Sequence, residues 1–439
     1  MDALQIVDIF PRDTLLTHLP KSSSSLSLKS NNDASVSSTV CEPANDLASN
    51  SEYISKKAHS REICFVDLEP SELSITQALG SRASETIECL RINGCRMNSD
   101  IFLALVDELC QLSLPNMHTV DMSKNQLCGS LFGASLARLL KHAPAIRTLS
   151  LGWNHLALQD LKDIAQIDCC NITTIDLRSN PLGQPKSKPS SRRSASSKVR
   201  RNKSISNSST SSSDSACADA DGDDMEWIAA LISNMPHLTH VQLAQSTIDD
   251  KMLVKLVCAL TAPSTPIEYI GLEWLELGSR LATLNSMLRN LVPKEGVESC
   301  PQNSLHLNLA ANNIGDAGVD TISATGIRLV SLTLACNFIT ERGAGVLAKW
   351  LPFSGLTALD LSDNYFGDQG VVALTTMHSI ENAGELYCTQ IKSLALNSCC
   401  LSDVSLRLLT DSLSSNWAPL KTLKILRNSR MSSSAKLAL

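Results

Sequence analysis

Short stretches of alternating apolar and polar residues recur along most of the chain, mainly at intervals of 24 to 37 residues. Each stretch contains an apolar residue, here called the anchor, and a second apolar residue two positions later. Side chains two positions apart lie on the same face of a β-strand. The pattern therefore predicts twelve short strands, with anchors at Val66, Leu90, Val120, Leu149, Ile175, Val241, Ile270, Leu307, Leu332, Leu359, Leu394 and Leu423.

A small polar residue follows most anchors at the fifth position, usually as Asn125, Asn154, Asn180, Asn312, Asn337, Asn364 or Asn428, and as Cys95 and Cys399 in two repeats. An amide at this position can bond the backbone of the turn that follows and stack from repeat to repeat. After the turn, the apolar spacing changes to that of a helix. Asp316, Asp368 and the pair Ser402-Asp403 stand where helix N-caps are expected.

The phrase Leu356-x-x-Leu359-x-Leu361-x-x-Asn364, followed by Gly367-Asp368-Gln369-Gly370 and a helical stretch, resembles the ribonuclease-inhibitor class of leucine-rich repeats. The resemblance covers about residues 63–428 and is strongest from Leu305 to Leu413. It implies an α/β horseshoe solenoid of about twelve repeats, in which parallel strands line the concave face and helices line the convex face.

The repeats do not occupy the whole chain. Residues 1–60 are rich in Ser and Asn and predict a disordered tail, because they contain too few apolar groups to offset chain entropy. The repeats then fall into two parts, 61–182 and 224–430, and a short tail follows at 431–439. Between the two parts, residues 183–223 predict a disordered insert that is first basic and then acidic.

Three interpretations of the insert remain open. Its basic part suits a nuclear-import signal, and its serines follow arginines at the spacing that basophilic kinases use. The third interpretation is an inert solvated loop, which a solenoid tolerates at small cost. The residues concerned are Arg192, Arg193, Ser196, Lys198, Arg200, Arg201, Lys203 and Ser204.

Composition excludes several classes of function. The formal net charge of −6 gives no reason to expect direct binding to nucleic acid or to an acidic membrane. No apolar run has the length of a membrane span, and the N-terminus lacks the order of a secretory signal. The cysteines do not follow zinc-site spacing, so no metal or other cofactor is expected. These features predict an intracellular protein, located in the cytoplasm, and also in the nucleus if the insert is an import signal.

The concave face holds the candidate binding residues. The residue before each anchor, the residue after it and the third and fourth residues after it should face the concave surface. This places His240, Tyr269 and His306 in a ladder, with Glu273 and Trp274 beside it and Trp153 in an earlier repeat. Exposed Trp and Tyr often dominate interfaces. The alternative for Trp274 is that it fills the core of an irregular repeat.

A second row on the same face is mainly acidic and suits a basic partner. It consists of Asp67, Arg91, Asp121, Asp176 and Asp360.

No motif for a phosphate loop, a metalloprotease or a nucleophilic serine occurs in the chain. The sequence therefore predicts a non-enzymatic scaffold that binds a protein partner on the concave face. The alternative is a GTPase-activating protein for a Ran-like small GTPase, because Ran GTPase-activating proteins share this repeat type. Those proteins typically end in a long acidic tail that is not found here, and no functional residue is carried over from them. The segment Arg61–Phe65 also resembles docking peptides of protein phosphatase 1.

Overall fold

The computed structural model describes residues 61–80, 83–167, 171–183, 226–262, 265–292, 305–375, 389–412, 417 and 419–432. The chain divides into Met1–Ser60 and Arg61–Leu439, and the described residues all belong to the second unit. The predicted N-terminal tail and the basic and acidic parts of the insert lie outside the described residues.

Within the described residues, twelve strands form one open parallel sheet in which the spatial order follows the chain order. Most strands are three residues long, because the chain turns away soon after the anchor. The strands are β1 Glu62–Val66, β2 Cys89–Asn93, β3 Thr119–Asp121, β4 Thr148–Ser150, β5 Thr174–Asp176, β6 His240–Gln242, β7 Tyr269–Gly271, β8 His306–Asn308, β9 Ser331–Thr333, β10 Ala358–Asp360, β11 Ser393–Ala395 and β12 Thr422–Lys424. The predicted number of repeats is confirmed.

Helices return the chain from the end of one strand to the start of the next. The α-helices of the described ranges are α1 Ile75–Leu79, α2 Ser99–Leu109, α3 Gly129–His142, α4 Glu226–Ser233, α5 Asp250–Leu260, α6 Leu281–Asn290, α7 Gly315–Ala324, α8 Glu341–Ser354, α9 Gly367–Thr375 and α10 Asp403–Ser412. The segment Leu158–Gln166 forms a 3₁₀ helix instead. Leucines of the strands and helices are buried between the two layers. The fold is an α/β leucine-rich repeat horseshoe, as predicted.

A ladder of buried asparagines ties the repeats together. Asn364 accepts hydrogen bonds at Oδ1 from the backbone N–H groups of Asn337 (3.1 Å) and Ile339 (2.9 Å). Its Nδ2 donates to the carbonyl oxygens of Leu334 and Leu361, each at 2.9 Å. The role predicted for the amide is therefore confirmed, with one addition. Each asparagine bonds the turn of the preceding repeat as well as its own.

The first repeat differs from the prediction. Ile63 pairs with Leu90, and Phe65 pairs with Ile92, so Ile63 is the anchor of β1. The predicted anchor Val66 pairs with Asn93 and is 49% exposed. Two apolar alternations overlap in this stretch, and only pairing with β2 decides between them. Asp67 consequently lies in the turn after β1 and not between the two core-facing residues, Ile63 and Phe65.

Two predicted N-caps are also wrong, because Asp316 and Asp368 bond the helix of the following repeat. Asp316 accepts at Oδ1 from the N–H groups of Thr340 (2.9 Å) and Gly343 (3.0 Å). Asp368 likewise accepts from Ser402 N–H at 2.9 Å and from Ser402 Oγ at 2.6 Å. Spacing along one helix cannot reveal a partner in the next repeat. Ser402 itself caps α10, where its Oγ accepts from Val404 N–H at 3.2 Å.

The Asp368 carboxylate makes part of the stability depend on pH. Desolvation alone would raise its pKa, but hydrogen bonds from Ser402 and Ser405 outweigh that effect, and the pKa is lowered from its ordinary value. A carboxyl whose pKa is lower in the folded state stabilises the fold above its unfolded pKa of about 3.9, and that contribution is lost as the pH falls through the folded pKa.

We therefore expect Asp368→Asn to destabilise the protein at neutral pH, and the difference from wild type to shrink in acid. Urea unfolding of both proteins from neutral pH to about pH 3 measures that difference. A difference that stays constant over the range would contradict the role given to the ionised Asp368.

Candidate functional site

The middle of the concave face carries a ladder of three rings. His240, Tyr269 and His306 lie in register on β6, β7 and β8. The rings of His240 and Tyr269 stack with their centroids 5.9 Å apart and their planes at 19°. Desolvation lowers the pKa of His306, and the nearby Glu268 partly offsets this shift. The structure thus brings together the three residues that the sequence placed side by side.

Glu273 follows β7 and links it to the two neighbouring strands through hydrogen bonds. Its Oε1 accepts from Asn308 Nδ2 at 2.6 Å and from Gln242 Nε2 at 3.2 Å. Asn308 Nδ2 also donates to Tyr269 Oη at 3.3 Å. Gln242, Tyr269, Glu273 and Asn308 are called the central network below. Together they fix the orientation of the tyrosine and the carboxyl group before any partner binds.

Gly271 makes room for the central network. A Cβ atom at this position would lie 1.8 Å from Gln242 Oε1, so any larger residue would displace the glutamine side chain. The sequence analysis missed Gln242 and Asn308. The sequence did contain a signal for them. Gln242 and Asn308 each follow an anchor directly, and the residue at the same position in the strand between them is Gly271.

The environment of the central network disfavours negative charge. Burial raises the pKa of Glu273. Burial, together with the nearby Glu273, raises the pKa of Tyr269 to about 12. The phenol therefore stays protonated at neutral pH and acts as a hydrogen-bonding group. This chemistry suits recognition of a partner better than nucleophilic attack.

Two tryptophans occupy equivalent places at the margin of the concave face. Trp153 and Trp274 are each the fourth residue after an anchor, and they are 42% and 50% exposed. Trp274 therefore does not fill the core. Both have positive φ angles, 53° and 60°. The same left-handed conformation recurs at this place in other repeats, at Asp67, Gly94, Lys124, Ser179, Gln245, Ala311, Cys336, Asp363, Ser398 and Arg427.

Trp153 belongs to a separate cluster of charged residues. Lys124 Nζ lies 5.8 Å, and Arg178 Cζ 5.5 Å, from the centroid of its ring. Arg178 also pairs with Asp176, its Nε lying 2.8 Å from Oδ2. These cation–π contacts hold the indole in place and surround it with positive charge.

The acidic row predicted on this face has local partners for its carboxylates. Asp121 accepts from Asn93 Nδ2 at 3.0 Å and forms an ion pair with Arg91 at 3.5 Å. Asp176 is paired with Arg178, as described above. Desolvation raises the pKa of Asp360, which accepts a hydrogen bond from Ser362 N–H at 2.8 Å. The row thus does not present a continuous strip of unpaired negative charge.

The segment resembling a phosphatase-docking peptide lies in β1. Ile63 and Phe65 are each 2% exposed, and the strand is paired with β2. A docking peptide must be free to add to a sheet of its receptor. The structure argues against docking by this segment, because its two apolar residues belong to the core. The basic segment 192–204 lies outside the described residues, and its role stays a prediction.

A family model described as "Leucine Rich repeat" matches residues 304–323 and 356–374. These two segments coincide with the β8–α7 and β10–α9 units of the parallel sheet. The described part of the chain has a leucine-rich repeat fold.

The chain is also similar to the human NACHT, LRR and PYD domains-containing protein 13. The two are 28% identical over 155 residues, which make up 34% of this chain and 14% of the relative.

Among solved structures it is similar to the yeast Rad7 and Elc1 complex, with 12% identity, a TM-score of 0.41 and coverage of 80% of this chain and 74% of the other. An internalin from Listeria monocytogenes shows 16% identity and a TM-score of 0.34, covering 80% and 86% of the two chains.

Within the described ranges, none of the helices is both long enough and apolar enough for a membrane span. Over the same ranges, His, Cys, Asp and Glu side chains do not gather in groups of three or more that could hold a metal ion.

Proposed function

We propose that this leucine-rich repeat protein is a non-enzymatic scaffold that binds a protein partner on its concave face. Its repeats, with full helices after most strands, fit the ribonuclease-inhibitor type. The binding residues form a central patch, defined as His240, Tyr269, Glu273, Trp274 and His306. The observation that carries the proposal is the half-exposed indole of Trp274 in the same repeat as Tyr269, whose ring stacks on that of His240. Exposed aromatic anchors of this kind supply much of the energy of protein interfaces.

The order of the central patch supports this function. Tyr269 and Glu273 are held by Asn308, and Glu273 is also held by Gln242. Side chains that are already fixed lose little conformational entropy when a partner binds. The left-handed backbone at Trp274 fixes where its side chain leaves the sheet.

Replacing Tyr269 and Trp274 together by Ala is expected to weaken partner binding by about 30-fold or more, since each side chain is a candidate hot spot. Affinity purification with mass spectrometry, comparing wild type and Tyr269→Ala/Trp274→Ala, identifies the partners that are lost. The affinity of each such partner is then measured with purified proteins.

A second double variant provides a matched control. Phe338 and Tyr365 are also stacked aromatic residues, 54% and 61% exposed, but they lie outside the central patch. Phe338→Ala/Tyr365→Ala should therefore retain the partners. If both double variants remain folded by circular dichroism and retain the same partners, the central patch is not the binding surface.

A further inference from the structure

A groove runs along the edge of the sheet at which the strands begin. Two adjoining clefts of about 540 and 500 Å³ form it, and both are lined by Ala145, Arg147 and Thr173. One cleft extends to Glu88, before β2, and the other extends to Pro266, before β7. Neighbouring strands lie about 4.8 Å apart, so this edge groove is roughly 24 Å long, which matches about seven residues of an extended chain.

The backbone in the middle of the edge groove is already hydrogen-bonded. The carbonyl oxygen of His118 accepts from the N–H groups of Arg147 (2.9 Å) and Thr148 (3.0 Å). The carbonyl oxygen of Arg147 accepts in turn from the N–H groups of Thr173 (2.8 Å) and Thr174 (3.1 Å). These groups have no capacity left for an added strand, so a ligand in the groove would be recognised by side chains.

Arg147 is the cation at the centre of the edge groove. Its side chain is exposed, and among the described residues its guanidinium group has neither a hydrogen-bond partner nor an ion-pair partner. The adjacent Thr148 lines the same cleft, and its hydroxyl group has no hydrogen-bond partner within the described ranges. In contrast, Arg91 and Arg178 on the concave face each pair with an aspartate. The edge groove therefore offers two neighbouring donors to a group that arrives from solvent.

The charges in the edge groove indicate which group fits. Of the described residues that line it, Glu88 alone is acidic, and it lies at the β2 end. Glu88 already forms an ion pair with Arg61, and its Oε2 lies 3.9 Å from His118 Nε2. The permanent positive charge of Arg147 is thus uncompensated. One such charge matches one carboxylate, whereas a phosphate group, with a charge near −2, is better held by several cations.

We propose that an acidic residue in an extended segment of the protein partner pairs with Arg147 in the edge groove. This inference rests on the proposed binding of a protein partner on the concave face. The groove is continuous with the central patch, because Thr239 lines the groove and directly precedes His240. The carboxylate reaches Arg147 without displacing a group of the protein. Acidic residues should be favoured at one place in the segment only, because Glu88 repels them at the β2 end.

A peptide library followed by fluorescence anisotropy tests this inference. Short peptides with glutamate, glutamine or lysine fixed at each position in turn are bound to the wild-type protein, to Arg147→Gln and to Arg407→Gln. Arg407 is an exposed residue of α10, so its replacement removes the same charge away from the groove.

In the peptide that binds most tightly, the change from glutamate to glutamine should weaken binding to wild type and to Arg407→Gln by about 10-fold at low salt. This difference should shrink as salt is added. The same change should have little effect on Arg147→Gln, whose folding is checked by thermal unfolding.

The outcomes distinguish the edge groove from the central patch. A glutamate preference that persists in Arg147→Gln would overturn the inference, as would equal binding of the glutamate and glutamine peptides to wild type. Failure of every peptide to bind wild type would also overturn it, because an extended segment should bind without the rest of the partner. The same library is bound to Tyr269→Ala/Trp274→Ala. A glutamate preference kept in that variant would support the groove even if affinity purification counted against the central patch.

Discussion

Replacement of Leu361 by Ala is expected to lower the free energy of unfolding by about 2–5 kcal/mol. Leu361 is the apolar residue two positions after the anchor Leu359, and its side chain is 0% exposed, in the core. Truncation removes buried methyl groups and leaves a cavity that neighbouring repeats can fill only in part. Because each repeat packs only on its neighbours, the loss weakens both adjoining interfaces.

A surface leucine two repeats further along the chain provides the control. Leu426 is 57% exposed, so Leu426→Ala should change the free energy of unfolding by less than about 0.5 kcal/mol. Urea unfolding followed by far-ultraviolet circular dichroism compares the two variants with wild type. If Leu361→Ala lowers the free energy of unfolding by less than about 1 kcal/mol, the placement of Leu361 in the core is wrong.

Asn364→Ala is expected to cost a similar amount, about 2–5 kcal/mol, although it removes only polar atoms. The backbone N–H groups of Asn337 and Ile339 would lose their acceptor, and the carbonyl oxygen of Leu334 would lose a donor. All of these groups are buried, so water cannot replace the lost partner without opening the turn.

Two measurements distinguish this loss from a general effect of removing an amide. Asn290→Ala, at the exposed end of α6, should be nearly neutral in urea unfolding. Hydrogen exchange of the Asn337 and Ile339 amides should accelerate in Asn364→Ala relative to amides of β2. Unchanged exchange at these two amides would contradict the ladder of asparagines.

The repeat itself could be predicted because it depends on local chemistry. Alternating leucines define each strand, and the asparagine at a fixed distance defines the turn, so both are visible in a single repeat. The register of β1 could not be predicted in this way, because Ile63 and Val66 each begin an alternation of apolar and polar residues. Pairing with β2 selects Ile63, and that pairing is a contact between repeats. Asp316 was misassigned for the same reason, since its partners lie in α8.

The candidate site shows the same division between local and non-local information. The ladder of His240, Tyr269 and His306 follows from strand register alone, which the repeat specifies. The central network requires Gln242 and Asn308 to reach across Gly271 from opposite sides, which depends on side-chain conformations in three strands. Likewise, the predicted row included Arg91 but not its ion pair with Asp121, and it did not include Arg178, which pairs with Asp176.

The recurring left-handed backbone at the fourth residue after each anchor limits how this surface can diversify. A branched Cβ is strongly disfavoured at positive φ, so valine, isoleucine and threonine are effectively excluded there. The residues at the twelve equivalent places range from Trp, Lys and Arg to Asp, Gln and Ala, and none is β-branched. Selection for a new partner can therefore vary the charge and size of the side chains at positions 153 and 274, but only among residues that are not β-branched. A combinatorial library built on this surface would gain folded members by omitting those three residues.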